Sequence, residues 1–190
     1  MKPRFIILIL LLASAAAATV WRIQNPRQRD PNSVRLADRR PAPPFQLLDQ
    51  QNRPVQLAGY LNRFRVLLYF FDATAGLESD PVLSRLRETN RDLRRAGIVV
   101  VAVSTPLTPE QKTAASDYPF PIVRDTLAGQ PGSSSNVWGR TTPPKDSQSI
   151  AVVKPGMFLI DQLGFVAWEG SAPKPEPAPL EMIATLLDGG

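Results

Sequence analysis

Three stretches of this 190-residue sequence predict an α/β fold: a central mixed sheet, parallel in the middle and antiparallel at an edge, flanked by helices. FRVLLYFF (residues 64–71) and GIVVVAVS (97–104) are near-continuous apolar runs, the pattern of strands buried on both faces. Between them Val82, Leu83, Leu86 and Leu93 share one face of a helical pattern, while Arg85, Arg87, Glu88, Arg91 and Asp92 cover the other. A strand, a helix and a second strand of this kind make a parallel crossover. MFLID and GFVAWEG, meeting around residues 162–164, read as a closing antiparallel hairpin.

The remaining elements follow in order. FQLLD, QQNR and PVQLAGYL predict an N-terminal hairpin whose turn carries Asn52. Burial of each apolar residue on the first long helix contributes roughly 1.5–3 kcal/mol, more than any surface ion pair on its outer face. Gly97 ends that helix, with Arg94 and Arg95 in its last turn at the negative end of the dipole. TPEQKTAASD carries Thr108 as N-cap, Pro109 at the first helical position and Gln111 at the third, a capping box. FPIVRD (120–125) is a third strand, and TLAGQPGSSSN and GRTTPPKDSQS are loops. Trp138, between those loops, is expected to plug the core. PLEMIATLL (179–187) closes the chain as an amphipathic helix.

Ahead of this domain the composition changes. Residues 1–24 contain MKPR and then an uncharged apolar segment, residues 5–21, which reads as a signal peptide or as a membrane anchor. The A-x-A triplets suit cleavage; Trp21 at the far end suits an uncleaved anchor. Residues 25–44 are a Pro/Arg-rich linker, and residues 45–188 are the folded domain. The first 40 residues carry eight Lys/Arg against two Asp, and the rest fourteen against fifteen acids, so the net charge of +5 belongs to the tail. Such a tail is a solvated tether, or a basic strip against anionic lipid. Arginines after the apolar segment outnumber the basic residues before it, which places an anchored domain on the cytoplasmic side; cleavage predicts the opposite side, with a secreted or periplasmic product. A nearly neutral domain is not expected to bind nucleic acid.

Chemistry is constrained by two absences: the sequence has no Cys and no His. Disulfides, Cys/His zinc sites, thiol nucleophiles, Ser/His pairs and haem ligation by His are thereby excluded. No cofactor is expected. Asp72, Glu78 and Asp80 stand close together, but three acids beside a helix start are capping and dipole partners before they are metal ligands, and no metal is expected.

The succession APPFQLLDQQNRPVQLAGY, RVLLYFF, TAGL, GIVVVAVS, FPIVRD, VWG and PGMFLID resembles the AhpC/TSA peroxiredoxins, the redoxins of the thioredoxin fold, most closely the bacterioferritin-comigratory type. That resemblance spans residues 41–187 and implies a thioredoxin-like fold. The family's loop after the strand reads PxxxTxxC: a cysteine thiolate attacks peroxide, a threonine and a distant arginine hold it, and the proline shields the pocket. Thr74 matches the threonine, Leu77 stands at the peroxidatic cysteine's position, and Pro155, beside Lys154, stands at the arginine's. The proline has no counterpart. Aligned instead on a thioredoxin or TlpA-like domain, Gly76 and Ser79 take the CxxC positions and Pro155 that of a cis-proline.

The resemblance, together with the apolar segment 5–21, therefore implies a catalytically degenerate, membrane-tethered peroxiredoxin-like domain that binds or assembles with a protein partner. Its alternatives are an AhpC/TSA oxidoreductase with residual or partner-dependent activity, and an extracytoplasmic small-ligand carrier, which native mass spectrometry would find with a retained mass. Thr74, Gly76, Leu77, Lys154 and Pro155 are the candidate site residues, none of them catalytic: backbone N–H groups beside Thr74 and Gly76 form an anion site, or Leu77 fills the pocket as core. The family pattern favours a helix starting near Thr74 with Pro81 inside it, which lowers the pKa of a cysteine placed at 77; the local signals instead make Asp80 the cap and Pro81 the first helical residue. An uncleaved anchor keeps the full chain in the membrane pellet through high salt and carbonate, and detergent alone releases it. Recovery of a soluble chain beginning near Thr19 would establish cleavage instead.

Overall fold

The first apolar pattern of the domain closes as a hairpin because Asn52 takes a left-handed conformation (φ 61°) in its turn. Strand β1 (Gln46–Leu48) pairs antiparallel with β2 (Pro54–Gln56). The turn is held by Asp49, whose Oδ1 accepts hydrogen bonds from the backbone N–H groups of Gln51 (2.9 Å) and Arg53 (2.8 Å). This computed structural model describes residues 40–142, 152–171 and 181–184, all within the unit Val34–Gly190.

Strand β3 (Arg65–Phe70) is buried from Val66 onward, and β4 (Ile98–Ser104) along its whole length, as continuous apolar runs require. They pair in parallel from Arg65 opposite Ile98 to Phe70 opposite Val103. Helix α1 (Pro81–Arg95) makes the crossover, with Val82, Leu83, Leu86 and Leu93 all buried. It ends where Gly97 turns to φ 73°, and Arg94 and Arg95 occupy its last turn. Helix α2 (Pro109–Ala115) carries the complete capping box of Thr108 and Gln111.

Strand β5 (Ile122–Arg124) adds in parallel to β4, and β1 runs antiparallel against β5. Two elements interrupt the segments read as loop. Helix α3 (Ser134–Val137) has Ser133 as N-cap, and β6 (Thr141–Thr142) pairs with β7 (Val152–Val153) as a small separate sheet. At four and two residues these are too short to show a periodicity. Strands β8 (Gly156–Ile160) and β9 (Val166–Ser171) form the closing hairpin and add to the free side of β3, giving the order β2-β1-β5-β4-β3-β8-β9.

Alternation along β3 divides the core between the two faces of the sheet. Leu67, Tyr69 and Phe71 join Leu83, Leu86, Leu93, Met157 and Trp168 in one cluster. Val66, Leu68 and Phe70 join Val101, Val103, Trp138, Phe158 and Ile160 in the other. Trp138 is the plug that the sequence implies, its ring centroid 4.7 Å from that of Phe158. Met182 and Ile183, from helical residues 181–184, belong to the first cluster.

One expectation is corrected here. No helix runs on from Thr74; the segment forms two single 3₁₀ turns, Ala73–Ala75 and Leu77–Ser79, and α1 begins only at Pro81. Gly76 separates the turns with φ 90° and ψ 153°, far from helical values. Asp80 then accepts from Val82 N and Leu83 N at 2.9 Å, and Pro81 stands at the position where a missing N–H costs nothing. The local capping signal governs this segment, and Pro81 kinks nothing.

Residues 40–42 of the Pro/Arg-rich segment are bound to the fold. Arg40 O accepts from Val166 N (3.0 Å), Ala42 N donates to Gly164 O (2.8 Å), and Pro41 bridges antiparallel to Phe165. The apolar segment 5–21 and the rest of the tail lie outside the described residues; among the described residues no helix is long and apolar enough to cross a membrane.

Leu86 is wholly buried beneath α1. Leu86→Ala is expected to lower the unfolding free energy by about 2–5 kcal/mol, read as a lower urea midpoint with an unchanged slope.

Candidate functional site

The candidate residues converge by register at the carboxyl end of β3. Phe70 ends that strand opposite Gly156, so Lys154 and Pro155, just before β8, lie beside the point where the chain leaves for residues 71–80. From there Phe71 and Ala73 enter the core and Thr74 is exposed. Leu77, at the position implied for a reactive cysteine, is 2% exposed and belongs to the same cluster as Phe71, Met157 and Tyr118. The site is filled by a hydrocarbon side chain.

Four tertiary and local contacts fix this loop. Tyr69, on β3, donates its hydroxyl to Asp80 Oδ2 (2.9 Å), the same carboxylate that caps α1 through Oδ1. Burial foremost, and then the charge and hydrogen bond of Asp80, hold the Tyr69 phenol far above its ordinary value. Tyr118 donates to Leu77 O (3.3 Å) with its ring beneath the Arg87 guanidinium, 5.2 Å from the centroid. Burial, the leading cause, also raises the Tyr118 phenol. Gln111, besides completing its capping box, sends Nε2 to Ala73 O, and Ser79 Oγ donates to Gly76 O (2.8 Å).

These contacts decide what the loop has left to offer. Thr74 N donates to Asp72 Oδ1 (2.9 Å) and Gly76 N to Ala73 O (3.0 Å), so the donors that an anion would need are engaged within the loop itself. The three acids are likewise occupied: Asp72 caps a turn, Asp80 caps α1, and Glu78 pairs with Arg87 at 3.3 Å. The Lys154 side chain is exposed, and its backbone N donates to Arg140 O (2.7 Å). The peptide bond before Pro155 is trans, a correction to the TlpA-like alignment, which implies cis.

Residues 39–169 match the AhpC/TSA family. The chain belongs to that family. No curated protein matches the sequence. Among solved structures it is similar to the peroxidoxin BcpB of Mycobacterium tuberculosis, at 20% identity and a TM-score of 0.64, covering 80% of this chain and 96% of that one. It is similar also to peroxiredoxin Q of Xanthomonas campestris (15% identity, TM-score 0.57, 76% and 91% coverage). The bacterioferritin comigratory protein of the same organism gives 14% identity, a TM-score of 0.55, and 76% and 90% coverage. These likenesses establish the thioredoxin-like peroxiredoxin fold; this AhpC/TSA chain contains no cysteine.

Sequence reasoning singled out Thr74, Gly76, Leu77, Lys154 and Pro155, with Asp80 as a cap, but missed the long-range contacts that hold the loop. Asp80 announces itself by its spacing to Pro81. Tyr118 and Gln111 reach Leu77 and Ala73 from 41 and 38 residues away, and no local pattern signals such contacts.

The position of Leu77 reverses the pKa expected for a cysteine introduced there. A thiol at 77 lies in buried core before the α-helix begins, so desolvation disfavours the thiolate. Leu77→Cys is expected to alkylate slowly, with a midpoint above the free-thiol value of about 8.5. A midpoint at the free value would show that the loop opens to solvent, and one below it that the dipole of a helix start or a nearby cation outweighs burial.

Proposed function

We propose that this chain is a catalytically degenerate AhpC/TSA domain that serves as a binding or assembly module, held at a membrane by residues 5–21. The observation that carries the reading is Leu77, buried at the position that the family resemblance assigns to the peroxidatic cysteine. Thiolate attack on an O–O bond has no equivalent in an aliphatic side chain, and the sequence offers no other thiol to take over. Pro155 stands where the resemblance calls for the arginine that holds peroxide, so the oxyanion that leaves would also lack its cation.

The fold around that position is nevertheless intact. The capping box of α2, the Asp80 cap and the Tyr118–Leu77 bond keep the loop in one conformation. A rigid family fold without the reactive group is suited to presenting a surface. The uncharged segment 5–21, followed by six arginines before residue 41, supports a tether to a membrane.

The full chain is expected to consume neither hydrogen peroxide nor an alkyl hydroperoxide above a heat-treated control, with or without thioredoxin. Multiple turnovers would overturn the reading, and turnover confined to mixtures with a thiol-bearing partner would establish the partner-dependent oxidoreductase in its place. Crosslinking in native membranes tests the binding role, which requires one protein chain to be captured reproducibly.

A further inference from the structure

Opposite the filled loop, on the other face of the sheet, two arginines share one acid. Phe158 on β8 stands opposite Glu169 on β9. The Arg40 guanidinium lies 5.8 Å from the Phe158 ring centroid and that of Arg140 lies 5.6 Å from it. Arg40 Nη2 donates to Glu169 Oε2 at 2.7 Å, a charge-assisted hydrogen bond. Arg140 Nη2 is 3.9 Å from Glu169 Oε1, within ion-pair range and beyond a hydrogen bond.

Arg140 is the unusual member. Its side chain is only 16% exposed, while Arg40 is 47% exposed. Among the described residues its Nε is buried with no hydrogen-bond partner, and so is Nε1 of Trp138, whose ring packs on the same Phe158. The side chain is seated over Gly156: a Cβ there would lie 2.8 Å from Arg140 Nη1 and 2.9 Å from Cδ. The missing side chain at 156 therefore makes the seat. A guanidinium carries five N–H donors, and the one at Nε is buried without an acceptor, a state that disfavours leaving the group as it stands. Glu169, already bound by Arg40, supplies none at hydrogen-bond distance, and the group keeps one excess positive charge.

We propose that Arg140, with Arg40 beside it, forms a binding site for a small oxyanion of the carboxylate or phosphate class. The planar fork of Arg140 matches either ligand in two parallel hydrogen bonds, and Phe158 fixes its plane from below. Glu169 sets the affinity by competing for the same guanidinium groups. This site is separate from the degenerate loop, because Gly156 and Phe158 face away from Met157 and Leu77, and it stands whether or not the proposed binding role does.

The test titrates sodium acetate and sodium phosphate separately into the full chain at constant ionic strength, with chloride as the replaced anion. The arginine Nε–H NMR signals are followed, and that of Arg140 is identified by its loss in Arg140→Lys. A saturable shift of that signal is expected, and the anion that saturates first assigns the ligand class. Gly156→Ala, which expels Arg140 from its seat, weakens binding about tenfold or more. Glu169→Gln, which removes the competing acid, tightens it, an effect opposite to that of losing a merely structural ion pair. The absence of saturation with both anions, or unchanged affinity in Glu169→Gln, would overturn the proposal.

Discussion

The carboxylate of Asp80 is the junction on which the arrangement depends. One oxygen satisfies two of the donors that begin α1, and the other receives the hydroxyl of Tyr69 from the middle of the sheet. A cap fixes where a helix starts but not where it lies, and a strand residue anchors the sheet but not the helix. Joining both through one residue sets the start of α1 against β3, and the buried row from Val82 to Leu93 then has one way to meet the sheet. Removing that side chain, as in Asp80→Ala, would release a helix terminus and a buried phenol together, at about 1 kcal/mol for the cap and 1–3 kcal/mol for the stranded hydroxyl.

The same junction explains why the loop stays ordered without a cysteine. Reactive loops tolerate strain when the group they carry requires it. Here the segment between Phe71 and Asp80 is built of short turns closed by their own acceptors, with a leucine facing inward and tyrosine and glutamine side chains tying its carbonyls to neighbouring elements. Stability at this point comes from burial and hydrogen bonding of an ordinary kind. Within the AhpC/TSA fold, the end of the sheet that the resemblance assigns to peroxide has become part of the core.

The course of the chain was readable wherever one physical signal dominated. Continuous apolar runs specified β3 and β4, a helical stripe specified α1, and Thr108–Pro109–Gln111 specified α2 with both halves of its box. The start of α1 shows two signals in conflict: the family pattern asked for an early helix, and Asp80–Pro81 with Gly76 ahead of it enforced a later one. α3 and the β6–β7 pair escaped because elements of four and two residues have no period. The seat of Arg140 was illegible for another reason. It arises from a glycine and an aromatic ring on β8, an acid on β9 and two arginines from elsewhere in the chain, and only the folded sheet brings them together.

Beyond its initiator, the sequence holds sulfur at two positions only, Met157 and Met182, and both lie buried in the cluster around Leu77. Thioether oxidation depends on access, and a polar sulfoxide would be poorly tolerated in that interior. A thiol enzyme of this fold ages by its own reaction, since repeated oxidation carries a cysteine to acids that cannot be reduced again. This domain has no such clock. Its two buried thioethers meet an oxidant only when the fold opens, so the rate of their oxidation follows the stability of the core around Leu77.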